Sequence, residues 1–207
     1  MPSHMRDERE ELAELGEQEA LEDEEERSTV SVVLEWVAVV AAAIIVALLI
    51  RTFVAEVYLI PSGSMLETIQ EGDRLIGEKI TYRTSDPQQG DIVTFIDPDG
   101  SGVTLIKRVI ATSGQTVDLV DGVVYVDGEA LDEPYVGDTE TWPLDQKADF
   151  IDEDITYPYT VPEGCLWVMG DNRTNSLDSR YFGAVSVDDV TSRAVVIFWP
   201  PSDAGAL

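Results

Sequence analysis

A mainly β fold, an antiparallel sheet or barrel preceded by one transmembrane helix, is what the 207-residue sequence predicts. Two observations carry this reading: an unbroken apolar run near the N-terminus, and a succession of short β-like segments after it. A third, the near-absence of histidine and cysteine, limits the chemistry that such a fold could house.

Residues 1–28 hold 12 acidic and 3 basic side chains and end in Glu22-Asp23-Glu24-Glu25-Glu26. So few apolar residues cannot offset ordering entropy, and the stretch reads as an acidic disordered tail. The next segment, 29–52, reads as the membrane helix. Val30 to Ile50 is a run of 21 residues with Glu35 as its only charge, and as a helix it spans roughly 31 Å, close to a bilayer core of about 30 Å. A core helix would not be apolar on every face, and a cleaved leader would begin with a basic segment rather than an acidic one. Trp36 and Arg51 suit the two interfaces, but flanking positive charge is too sparse on either side to orient the span.

Residues 53–201 form the β domain in this reading. Alternating or apolar runs at 54–60, 74–82, 91–95, 104–111, 116–119, 123–126, 165–169 and 194–199 read as strands. Turn signals separate them, among them Pro61-Ser62-Gly63, Asp121-Gly122 and Asp127-Gly128. The acidic stretch 131–162, with four prolines, reads as an irregular insertion carrying little chemistry, and 202–207 as a short tail.

Composition excludes several functions. With 41 acidic against 13 basic residues the formal charge is −28, which leaves no basic face for nucleic acid. One histidine, His4, and one cysteine, Cys165, rule out an internal disulfide, a multi-ligand zinc site and a Ser-His-Asp triad in the domain. No metal or organic cofactor is expected. Cys165 reads as a small buried hydrophobe. Only Lys79, Lys107 and Lys147 are lysine. Acidity with so few lysines fits a chain that folds in strong salt, where self-repulsion is screened, or one whose partners are basic. The first alternative predicts a higher unfolding midpoint at molar salt than at low salt; equal midpoints would contradict it.

Three segments are candidates for chemistry. In Pro61-Ser62-Gly63-Ser64-Met65 a serine follows a turn that closes an apolar strand, although such a sequence is also ordinary turn chemistry. In Leu105-Ile106-Lys107-Arg108-Val109 a lysine lies inside a strong β pattern. Leu105, Lys107 and Val109 share one face and Ile106, Arg108 and Ile110 the other, so one basic residue points the way its apolar neighbours do. An edge lysine that deters aggregation has the same pattern. A buried one would have a lowered pKa and, when neutral, could take a serine proton. The third segment runs from Gly170 to Arg180 and is rich in short polar residues; a loop held by its own Asx hydrogen bonds is its bland alternative.

In this order, behind a membrane span, the three segments closely resemble type I signal peptidases, membrane-anchored serine proteases with a Ser/Lys dyad. Glu35-Trp36, Ile50-Arg51-Thr52-Phe53 and Gly90-Asp91-Ile92-Val93 add to the likeness. The resemblance implies that Ser64 is the nucleophile and Lys107 the general base. It implies that Ser62 is an oxyanion-hole donor and that Ser176 hydrogen-bonds the lysine amine. Gly170, Asp178 and Arg180 would be structural support, the last two as an ion pair. Tyr58, Ile60, Met65, Ile69, Leu105 and Ile106 would line shallow pockets for small residues before the cut. Glu67 stands where the family usually has proline, and Leu105 where an aromatic is frequent. The implied partners are preproteins bearing signal peptides and the lipid bilayer. The implied location is the cell membrane, with one span and the catalytic domain on the extracytoplasmic side. Two alternatives compete: a self-cleaving Ser/Lys regulator, disfavoured by the membrane span, and an inactive anchored β domain that only binds exported chains.

Overall fold

The computed structural model describes residues 31–152 and 154–207; the acidic tail and His4 lie outside the described residues. Helix α1, Ser31–Phe53, is exposed on every face and is long and apolar enough to cross a membrane. The segment up to Ile50 and the body from Arg51 onward are separate units.

The body carries twelve strands among its described residues: β1 Ala55–Leu59, β2 Arg74–Glu78, β3 Ile92–Ile96, β4 Thr104–Thr112, β5 Thr116–Val120, β6 Val123–Val126, β7 Glu129–Ala130, β8 Tyr159–Thr160, β9 Cys165–Met169, β10 Val185–Ser186, β11 Val190–Trp199 and β12 Gly205–Ala206. They form an eight-stranded sheet in the order β1-β2-β11-β3-β4-β9-β10, with β12 also on β11, and a four-stranded sheet in the order β7-β6-β5-β8. Each of these pairings is antiparallel. The mainly β, antiparallel reading is thus correct.

Local chemistry accounts for the hairpins. Val120 faces Val123 across the two-residue loop Asp121-Gly122, and both loop residues have positive φ, 51° and 81°. That combination matches the strand twist and is why an Asp-Gly pair belongs there. Asp127-Gly128 does the same between β6 and β7.

Some strand limits differ from the sequence expectation. The run 74–82 ends as a strand at Glu78, because the Glu78 carboxylate accepts from the N–H groups of Ile80 (2.9 Å) and Thr81 (3.1 Å) and starts a 3-10 turn over Thr81–Arg83. Strand β11 begins at Val190 rather than 194, following a 3-10 turn capped by Ser186. The two-residue strands β7, β8, β10 and β12 are too short to leave a periodic signal.

Three buried apolar clusters hold the sheets. The first contains Ile60, Met65, Ile69, Leu75, Ile92, Ile106, Ala194 and Ile197. The second gathers Val93, Phe95, Val109, Leu166, Val168 and Phe182, and the third joins the small sheet to Trp167 and Met169. Strand β4 touches all three, through Ile106, Val109 and Ile110. Cys165 is half-buried against the third cluster.

Candidate active site

The serine is presented by a tight loop that leaves the sheet at Ile60 and returns at Asp73. The Ile60 N–H donates to the Asp73 carbonyl (2.9 Å), and the Gly72 N–H to the Ile60 carbonyl (2.8 Å). The buried Asp73 carboxylate accepts from the Gln70 N–H (2.8 Å). Within this loop Gly63–Met65 form a 3-10 turn, with Met65 driven into the first cluster. The turn leaves Ser64 at 8% exposure. Ser62, just before the turn, is exposed and makes no capping hydrogen bond. N–H groups at the start of a helical turn lack intrahelical partners, so the turn offers donors beside the serine.

Lys107 comes from the middle of β4 and is 3% exposed. Its Nζ lies 2.8 Å from Ser64 Oγ and 3.0 Å from the Ile106 carbonyl oxygen. Burial lowers the amine pKa to about 8, against the opposing pull of Asp178, Asp97 and Asp171. Desolvation dominates because the charged form loses water that these carboxylates do not fully replace. Strand pairing explains the burial, since Lys107 faces Val93 on β3.

The segment after β9 lies against the serine turn. The Asn172 N–H donates to the Ser64 carbonyl (3.1 Å) and its Nδ2 to the Gly63 carbonyl (2.9 Å). A Cβ on Gly170 would overlap the Ser64 carbonyl oxygen and Ser176 Oγ, so the close approach requires glycine there. Asp178 caps helix α2, Ser179–Phe182, and holds Arg180 through Nε and Nη2, both at 2.9 Å; its Oδ2 also accepts from the Gly170 N–H (3.0 Å).

Ser176 departs from the expected geometry. It is buried, but its hydroxyl makes no hydrogen bond among the described residues, to Lys107 included. The amine is directed instead at Ser64 and the Ile106 carbonyl. Nor do the six apolar residues form one surface. Ile60, Met65, Ile69 and Ile106 are buried together with Tyr58 against them, whereas Leu105 packs on the second cluster. Alternation along β4 separates Leu105 from Ile106.

Other residues around the pair were not singled out by sequence. Arg108 clamps Asp171 through Nε (2.8 Å) and Nη2 (2.6 Å), and Thr68 Oγ1 donates to the same carboxylate (2.5 Å). These contacts tie the neighbour of Lys107 to the Ser64 loop and to the segment after β9. Arg108 sits inside the apolar β run, so its charge there was the available signal, whereas Asp171 lies among the short polar residues of the third segment. Glu133 and Thr141, which hold Arg173, left none, since they come from the irregular stretch.

Residues 33–199 match the family model described as signal peptidase, peptidase S26. The chain belongs to this signal peptidase family. It is 41% identical to a probable signal peptidase I-1 of Synechocystis sp. over 80% of this chain and 82% of that one. It is 36% identical to a signal peptidase I of Bacillus licheniformis over 85% of this chain and 95% of the relative. A solved signal peptidase I structure from Enterococcus faecalis covers 53% of this chain and 97% of its own, at 36% identity and a TM-score of 0.43. The resemblance read from the motifs is therefore correct, and so is the enzyme class: signal peptidases of this family are serine endopeptidases.

Proposed function

We propose that this signal peptidase removes N-terminal signal peptides from preproteins after small residues, with Ser64 as nucleophile and Lys107 as general base. The observation that carries the reading is a buried amine of lowered pKa, 2.8 Å from a buried hydroxyl. In its neutral form Lys107 accepts the Ser64 proton as Oγ attacks the carbonyl carbon before the cut. The oxyanion forms near the Ser62 hydroxyl and the Ser64 N–H, donors that gain strength in a dry site. The lysine ammonium then gives its proton to the leaving amine, and an acyl ester on Ser64 remains. Water attacks the ester as Lys107 takes a proton from it, and the lysine ammonium passes that proton to Ser64 Oγ as the ester bond breaks, which restores the hydroxyl and the neutral amine.

The edge of β4 supports an extended substrate. Residues 104–107 pair with β3 on one side only, because β9 joins at Arg108. A peptide strand added there gains main-chain hydrogen bonds, and shallow apolar walls reject large side chains by overlap. In this reading α1 crosses the bilayer once, with residues 53–201 as the peptidase domain on the outer face and 1–28 on the inner. Holding enzyme and substrate in one bilayer raises their effective concentration.

The test is cleavage of a purified precursor with an Ala-x-Ala site. Cleavage after the second alanine is expected, with the Ser64→Ala variant at background. Because only neutral Lys107 is competent, kcat/KM should rise about tenfold per pH unit below about 8 and level off above it. Full activity of Ser64→Ala, no cleavage by the wild type, or a limb near the free-lysine value of about 10.4 would sink the reading.

A further inference from the structure

We propose that Glu133 and Arg173 are positioning residues for the Ser64–Lys107 pair, acting through the backbone of Gly170. The inference rests on the roles assigned to Ser64 and Lys107 under the proposed function.

Gly170 directly follows β9, and a Cβ there would overlap the Ser64 carbonyl oxygen and Ser176 Oγ. Both of its polar backbone atoms are held by side chains of buried ion pairs. Its N–H donates to Asp178 and its carbonyl accepts from Arg173 Nε (3.0 Å). Arg173 is 2% exposed. Its guanidinium donates to both Glu133 carboxylate oxygens and to Thr141 Oγ1 (2.6 Å), so four of about five N–H groups are used. The two pairs are joined, because Arg180 Nη2 donates to the Arg173 carbonyl (2.9 Å).

The same stretch braces the lysine side. Tyr135 donates its hydroxyl to Glu133 (2.9 Å) and lays its ring 3.9 Å from the Arg108 guanidinium carbon, next in sequence to Lys107. A segment remote in sequence from both motifs thus touches Arg173 and Arg108. Without the Glu133 carboxylate, a buried guanidinium loses its counter-ion and must shift, and the Gly170 carbonyl moves with it. Displacements of about 1 Å cost rate up to about a hundredfold when they misalign reacting atoms. Among the described residues no hydrogen bond or ion pair joins Glu133 to the β4 edge or the first cluster, so substrate binding should stay intact.

The experiment uses the full chain in detergent micelles, with kcat and KM measured on an Ala-x-Ala precursor well below each variant's unfolding midpoint. Glu133→Ala should lower kcat at least tenfold with KM within twofold, and Glu133→Gln, which keeps an acceptor oxygen, should recover most of the loss. If Glu133→Ala does not fold, Thr141→Val carries the test, with an expected fall in kcat of about threefold at unchanged KM. Wild-type kcat in the folded Glu133→Ala variant, or in Thr141→Val where the former does not fold, would overturn the proposal. So would a loss equal to the unfolded fraction or confined to KM. Activity retained by Ser64→Ala would instead remove the underlying dyad reading, which separates the two failures.

Discussion

Replacing Lys107 with methionine is expected to abolish precursor cleavage while making the folded body more stable at neutral pH. The two effects have one cause. A positioned general base contributes about a hundredfold to ten-thousandfold in rate. In the proposed dyad, Ser64 has no histidine among the described residues to stand in as base. A fall of about a thousandfold or more is therefore expected. The stability effect follows from the amine being held at about 8 instead of the ordinary 10.5, chiefly by burial. A base whose folded pKa is depressed binds fewer protons folded than unfolded between these values, so stability rises with pH across that window. Below about 8 the amine is charged in both states and the full penalty applies, about 3 kcal/mol at roughly 1.36 per unit. Methionine fills a similar length without a charge and forfeits two hydrogen bonds, which offsets part of the gain at about 1 kcal/mol each. Urea unfolding at pH 7 and at pH 10.5 measures this. The variant should lead at pH 7, and its lead should shrink as the wild-type amine loses its proton. A variant less stable than wild type at pH 7 would contradict the desolvation argument.

Asp178→Ala should be the most destabilising single substitution near the site. Asp178 is 0% exposed, and it holds the Arg180 guanidinium, the Arg180 N–H and the Gly170 N–H at once. Removing one member of a buried pair costs about 3–5 kcal/mol because the other charge is left uncompensated. At roughly 2–4 °C per kcal/mol for a body of this size, the unfolding midpoint should drop by about 6–20 °C. Asp178→Asn keeps acceptors for the backbone N–H groups and should lie in between. An unchanged midpoint in the alanine variant would show that Arg180 finds another partner.

Much of this was legible from local pattern. The Asp-Gly turns, the β run around Lys107 and the apolar run 30–50 each carry their signal within a few residues. The limits of β2 and β11 were less so, because Glu78 and Ser186 stop or start an element by a side-chain hydrogen bond that alternation does not report. The support of Gly170 was illegible. Glu133 and Arg173 are forty residues apart, and nothing in the acidic stretch 131–162 marks one carboxylate as the partner of a buried arginine. The family likeness grouped Leu105 with Ile106, although strand alternation sends it to another cluster.

By itself the sequence determined the membrane-length helix, the antiparallel β character of the body, and which serine and which lysine stand in the family's motifs. Tertiary structure alone decided that the amine is dry, that it reaches the hydroxyl rather than Ser176, and which carboxylates neutralise the buried arginines. The physical reason is range. Periodicity and turn chemistry act between neighbours in the chain, whereas desolvation and charge pairing sum over everything that folds around a group, regardless of where it lies in sequence.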